Sequence, residues 1–145
     1  MMNKDFKTTP PDLNGKRHIK GLTEFVNDEV TPKNMLYISI LHSKYAHALI
    51  TELDIENAKK AKGIFKIITA KDIPGENQIG HLMPDEPLLA DEKVLYIGQP
   101  IALILSDDPR NAELAIPLIN IKYTPLKPIL TIDEAVQANS FYIPE

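Results

Sequence analysis

Residues 87–126 read P-L-L-A-D-E-K-V-L-Y-I-G-Q-P-I-A-L-I-L-S-D-D-P-R-N-A-E-L-A-I-P-L-I-N-I-K-Y-T-P-L. In order, they hold a strand, a G-Q-P turn, a buried strand, a capped helix and a further strand. Ile101 to Leu105 is apolar at every position, which reads as a strand covered on both faces. Asp108 precedes Pro109, and a proline at the first helical position loses no hydrogen bond. Ala112, Ala115, Ile116 and Ile119 then follow the i, i+3, i+4, i+7 spacing of a core-facing stripe. Pro117 ends the regular helix near Ile116, because proline lacks an N–H and its ring clashes one turn back. Ile119, Ile121 and Tyr123 alternate with Asn120 and Lys122 as the next strand. In the turn, Gly98 supplies a backbone conformation that other residues resist, and Pro100 starts the buried strand. Gly98, Gln99 and Pro100 are therefore read as a structural turn or bulge, with ligand contact as the competing reading.

A similar unit lies upstream. In Leu36 to Leu41, Leu36, Ile38 and Ile40 point one way and Tyr37 and Ser39 the other, the alternation of a half-buried strand. Ala48 to Leu53 is a second strand. Asp54 caps a short helix with Glu56 in its first turn, Lys59, Lys60 and Lys62 in its last, and Gly63 just beyond. Acid first, base last and a closing glycine match the helix dipole and the left-handed cap. Ile64 to Ile68 is the following strand. Near the end of the chain, Thr131-Ile132-Asp133-Glu134 is a capping box opening a helix to about Ala138.

The bulk properties bound the function. The chain has 145 residues, 43% hydrophobic and 25% charged, with a formal net charge of -4. That suits one ordinary domain, which buries roughly 68–70% of its unfolded surface and needs no covalent or metal staple. No basic face stands out, so nucleic acid is not an expected partner. The sequence has no cysteine, which excludes disulfides, Cys-ligated iron–sulfur clusters and Cys catalysis on this chain. No run approaches the ~20 apolar residues of a membrane span, and the N-terminus lacks an apolar signal region. A cytoplasmic location is expected. Residues 1–20 form a polar, flexible lead-in, and 21–145 form a single domain. The apolar Phe141-Tyr142-Ile143 close to the last residue suggests a chain cut at a domain boundary.

Few residues suggest chemistry. His42 and His47 are five apart across a strand–turn junction, not a metal-ligand spacing, and the four histidines read as structural or surface residues. Asp85 and Glu86 beside Pro84 read as a solvated loop, since nothing signals the burial that tunes a catalytic carboxylate. No serine lies in a nucleophile-elbow context, and neither nucleotide-binding glycine motif occurs. The long segment Ile73 to Asp91 carries Pro74, Gly75, Gly80, Pro84 and Pro87 with little apolar periodicity. Loops beyond ~12–15 residues are uncommon unless functional or disordered. This segment is either the functional surface or a plain crossover between two halves of a sheet.

Four anchors carry a family resemblance from about Gly21 to Tyr142. The first is Asn34-Met35-Leu36-Tyr37 with His42-Ser43-Lys44-Tyr45-Ala46-His47-Ala48. The second is Thr69-Ala70-Lys71-Asp72-Ile73-Pro74-Gly75. The third runs from Asp91 to Pro100, with the following helix and Lys122-Tyr123-Thr124-Pro125-Leu126. The fourth is Ile132 to Ala135 with Asn139-Ser140-Phe141-Tyr142. In this order and spacing the chain resembles the N-terminal hammerhead domain of the large, molybdopterin-binding subunit of molybdenum hydroxylases, the xanthine dehydrogenase and aldehyde oxidase family. Lys4 to Asp12 matches only diffusely, and Pro117 falls inside a helix that the family usually runs further.

The resemblance implies an α+β fold, an α/β hammerhead with a mixed sheet and two strand–helix–strand units. It implies a non-catalytic domain that packs on molybdopterin-binding domains, of the same or a separate chain, and shapes a substrate funnel. His81, Leu82 and Met83 correspond to the substrate entrance. The whole oxidoreductase would carry a molybdenum–pterin cofactor, iron–sulfur clusters and FAD, and would hydroxylate a purine, aldehyde or N-heterocycle. The catalytic and pterin-contacting residues of the family lie downstream of this domain, so the chain by itself is expected to hold no cofactor, no metal and no activity. The alternatives are a freestanding binding module and a small hydrolase using His81 with Asp85 or Glu86. A biotinyl or lipoyl carrier is disfavoured because Lys93 and Lys127 are not in a tight hairpin.

Overall fold

The computed structural model describes residues 12, 14–80, 82 and 85–141. The chain divides into two compact units, Met1–Lys33 and Asn34–Glu145. In the first, Gly15–Ile19 forms a short helix, α1, followed by a 3-10 turn at Val26–Asp28. Asp28 anchors that turn by accepting a hydrogen bond from Phe25 N at 2.9 Å.

The second unit holds six strands: β1 (Tyr37–His42), β2 (Ala48–Asp54), β3 (Ile64–Thr69), β4 (Lys93–Val94), β5 (Pro100–Ser106) and β6 (Asn120–Pro125). Helices α2 (Glu56–Lys59), α3 (Pro109–Ala115) and α4 (Ile132–Gln137) lie between and after them. The architecture is α+β, with few helices. The strands divide between two three-stranded sheets, ordered β1-β5-β3 and β4-β2-β6, and every ladder is antiparallel. The sequence reading foresaw both strand–helix–strand units within one mixed sheet. Each unit instead carries the chain from one sheet to the other, β2-α2-β3 in one direction and β5-α3-β6 in the reverse. The connection from Ile55 to Gly63 is shorter than the dozen or so residues that a parallel crossover requires.

Local signals account for the helices. Asp54 Oδ1 accepts from Glu56 N at 3.0 Å, and Lys59 pairs with Glu56 at 2.8 Å. Asp108 Oδ1 accepts from Arg110 N at 2.8 Å, and the regular helix stops at Ala115 before a 3-10 turn containing Pro117. Thr131 Oγ1 accepts from Glu134 N at 3.2 Å. The reciprocal arm of that box reaches one residue further back than expected, with Leu130 N donating to Glu134 Oε2 at 3.2 Å.

Gly63 shows why α2 ends as it does. Its φ is +76°, and a Cβ there would clash with Asp107 Oδ1 and Asn111 Nδ2. Those two side chains are bonded to each other at 2.9 Å, and Asp107 N donates to Gly63 O at 3.0 Å. Gly63→Ala is expected to cost about 1–2 kcal/mol from the left-handed backbone, with displacement of Asn111 in addition. Chemical denaturation of the variant measures it.

The buried cluster lies where the two sheets and α3 meet. It includes Leu41, Ala48, Ile67, Val94, Ile101, Ala102, Ile104, Ala112 and Ala115. Ile116 and Ile119 pack against it, completing the stripe expected from their spacing. β5 is the central strand of its sheet and has no exposed residue. β1 alternates as its sequence suggests, but the buried member is Leu41, with Tyr37 and Ser39 half-buried on its side. Ile38 and Ile40, the more apolar set, face outward, 59% and 39% exposed. The ladder decides this. Ser39 and Leu41 stand opposite Ile104 and Ala102, on the core side of β5, whereas Ile38 and Ile40 stand opposite Leu105 and Leu103.

Beyond β3, Thr69 N and Thr69 Oγ1 both donate to Asp72 Oδ2, at 2.8 and 2.9 Å. These hydrogen bonds, with smaller help from Lys66, hold the Asp72 carboxyl below its ordinary pKa. A carboxyl depressed on folding stabilises the fold above its unfolded pKa, and that contribution disappears as pH falls through the folded value. The loss therefore falls below about pH 4. Asp72→Asn is expected to be less stable than the parent at neutral pH, with the difference narrowing as the solution is acidified. Denaturation midpoints across that range check the sign.

Candidate functional site

The G-Q-P turn is the hub of the irregular side of the second unit. Gly98 has a φ of +89°, the left-handed region that favours glycine. Its N–H donates to Ser43 O, and Ser43 N donates back to Gln99 O, both at 2.9 Å. This reciprocal pair ties the turn to the segment joining β1 and β2. Gln99 is only 1% exposed, and its Oε1 accepts from Leu95 N at 2.7 Å. Pro100 opens β5, and its carbonyl accepts from Ala90 N at 2.8 Å.

The histidines nearby serve as donors to the backbone. His42 Nδ1 lies 2.7 Å from Gly98 O, and His47 Nδ1 lies 3.0 Å from Lys127 O. A carbonyl can only accept, so Nδ1 carries the proton in each ring. Next to them, the buried Ser43 hydroxyl donates to Tyr45 O at 2.9 Å and lies 3.1 Å from Tyr45 N, from which it accepts. Tyr45 and Tyr123 pack with ring centroids 4.8 Å apart. Burial raises the pKa of the Tyr123 phenol, and a hydrogen bond with Ser43 partly offsets this.

The segment from Ile73 to Asp91 is closed at its base by one side chain. Asn77 Nδ2 donates to Leu89 O at 2.7 Å, and Leu89 N donates to Asn77 Oδ1 at 3.0 Å. Asn77 thus imitates a strand partner across twelve residues. Ile79 N reaches Glu86 O at 2.8 Å, and Leu89 and Ala90 are buried. Leu82 is 97% exposed. His81, Met83 and Pro84 lie outside the described residues. The returning limb and the turn share an open groove of about 390 Å³ lined by Asp85, Glu86, Pro87, Leu95, Tyr96 and Gln99. The structure thus brings Gln99 together with Asp85 and Glu86, while Asp85 and Glu86 themselves remain exposed.

Sequence reasoning missed the Asn77 clasp, because nothing local marks one asparagine as the partner of a residue twelve positions away. It also missed a second hollow of about 330 Å³ in which Glu52, Lys71, Asp91 and Glu92 gather around Ile50 and Leu53. Among the described residues no group of three or more His, Asp or Glu side chains is placed to hold a metal, and the chain has no cysteine to ligate iron and sulfur. These residues do not fit a molybdenum or iron–sulfur group. No helix among the described residues is long and apolar enough to cross a membrane.

Comparison with known proteins agrees with this geometry. Residues 20–127 match the family model of the aldehyde oxidase and xanthine dehydrogenase a/b hammerhead domain. Xanthine dehydrogenase 1 of Arabidopsis thaliana is 37% identical over 130 residues, which are 90% of this chain and 10% of that protein. Among solved structures, the aldehyde oxidoreductase of Desulfovibrio desulfuricans ATCC 27774 superposes with a TM-score of 0.77 at 27% identity, covering 89% of this chain and 16% of that one. The Cu,Mo-CO dehydrogenase superposes with a TM-score of 0.76 at 32% identity, covering 85% of this chain and 16% of that one. The chain therefore spans about a tenth to a sixth of the length of these proteins. With the family model matched across both strand–helix–strand units and the G-Q-P turn, the chain belongs to the a/b hammerhead domain family of aldehyde oxidases and xanthine dehydrogenases.

Proposed function

We propose that residues 21–145 are the non-catalytic hammerhead domain of a molybdenum-cofactor-dependent oxidoreductase of the xanthine/aldehyde dehydrogenase type. In this reading the domain packs on the molybdopterin-binding domains and shapes the passage to their substrate, a purine, aldehyde or N-heterocycle. The enzyme is cytoplasmic, and its molybdenum–pterin, iron–sulfur and FAD groups are carried by other domains. The observation that carries the reading is the built loop from Ile73 to Asp91. The Asn77 clasp fixes its base, while Leu82 displays an apolar side chain almost fully to solvent. A loop clasped at its base that leaves Leu82 exposed suits the wall of a funnel better than a passive crossover. His81, Leu82 and Met83 are the proposed entrance residues.

The test is biochemical. The open reading frame past Glu145 and its neighbours are read for molybdopterin-binding domains, and the native protein is purified and assayed for bound molybdenum. Xanthine and aromatic aldehydes are offered to the native assembly and to the 145-residue chain with an artificial electron acceptor. Turnover by the assembly alone is the expected result. A molybdenum-free native protein with no such partner would leave a freestanding binding module as the better reading.

A further inference from the structure

We infer that the outer face of the β1-β5-β3 sheet is the surface on which the molybdopterin-binding part of the enzyme seats. The inference rests on the function proposed above and assigns that contact to one face of the fold. Two rows of side chains cross this face from strand to strand. Ile40 and Ile68 flank Leu103, and Ile38 and Lys66 flank Leu105. Leu103, Leu105 and Ile68 are half-buried, and Ile38 and Ile40 are exposed. None of these five apolar residues belongs to the buried cluster or packs against it. The single charge, Lys66, sits at the edge and pairs with Asp72 at 3.8 Å.

The other sheet supplies the contrast. On the outer face of β4-β2-β6, Glu52 stands opposite Lys122 and forms an ion pair with it. Leu49 stands between Thr124 and Lys93. That face has the alternation of an antiparallel sheet with one wet side. The first sheet is apolar on both sides, although α3 lies against it on only one, with Ala112 and Ala115 in the same buried cluster as Ala102 and Ile104. A contiguous apolar face that the described residues of the second unit leave uncovered marks a site of association. The occupant is the remainder of the enzyme, because relatives of this chain are about six to nine times its length and this face is where the sequence makes no provision for water.

The absence of native cysteine permits a clean test. Single-cysteine variants Ile38→Cys, Ile40→Cys and Thr124→Cys are labelled with a maleimide. Labelling is done in the chain alone and in its assembly with the molybdopterin-binding polypeptide encoded by the same gene or beside it, and is read by peptide mass spectrometry. In the chain alone all three sites are expected to label. In the assembly, labelling at positions 38 and 40 is expected to be lost while position 124 stays reactive. An assembly that forms with positions 38 and 40 still reactive, or with position 124 protected instead, overturns the assigned face and leaves the proposed function standing. Protection at 38 and 40 in the chain alone overturns it too, giving the face to a second copy at dimer mass or to residues of the same chain at monomer mass. Failure to find any molybdopterin-binding partner removes the proposed function and this inference with it.

Discussion

Ile104→Ala is expected to destabilise the chain by about 2–5 kcal/mol, the range for truncating a fully buried aliphatic side chain. Ile104 is 0% exposed on the central strand β5, opposite Ser39 on one neighbour and Ile67 on the other. Its neighbours below include Ala112 and Ala115 of α3 in the same cluster. Helix and sheet backbones cannot close readily over the vacated volume, so a cavity remains and its cost adds to the lost burial. Ile38→Ala on the same sheet is the matched comparison. Ile38 faces outward, and its truncation is expected to stay within about 0.5 kcal/mol. Urea denaturation of both variants measures the difference. Equal losses would mean that the outer face is packed in the isolated chain.

Gln99→Met is expected to cost about 1–3 kcal/mol although it preserves side-chain length. The Leu95 N–H that donates to Gln99 Oε1 at 2.7 Å would lose its acceptor, a side chain only 1% exposed. Gln99 also sits between Gly98 and Pro100, whose backbones hold Ser43 and Ala90. The damage should therefore spread to the groove shared with Asp85, Glu86 and Pro87. Hydrogen exchange is expected to rise at Leu95 and Ala90 and to stay unchanged across the β2-β6 ladder. A stability equal to the parent would show that Leu95 N–H finds another partner.

Elements whose causes are local could be read directly from the chain. Asp108-Pro109 starts α3 and Pro117 ends it as a regular helix. Asp54 and Gly63 bracket α2, and Thr131 with Glu134 opens α4. Apart from Gly63, which also meets Asp107 and Asn111, each of these depends on groups within a few residues of one another, so the amino-acid order contains the cause. The family motifs belong to the same category, since their spacing survives without knowledge of the partners they meet.

The candidate site was legible only in part. The G-Q-P turn and the long loop can be named from glycine and proline placement, but their adjacency cannot. Gly98 meets Ser43, and Leu89 meets Asn77, across separations that only chain closure creates.

Periodicity and local caps determined six strands and short capped helices, and the four anchor motifs carried the resemblance to the family and its α+β fold. Tertiary structure decided that the strands split between two antiparallel sheets. It also decided which side of β1 is buried. Alternation defines two faces of a strand but does not say which one meets the core. Pairing with β5 placed Ser39 and Leu41 beside Ile104 and Ala102, and thereby turned Ile38 and Ile40 outward.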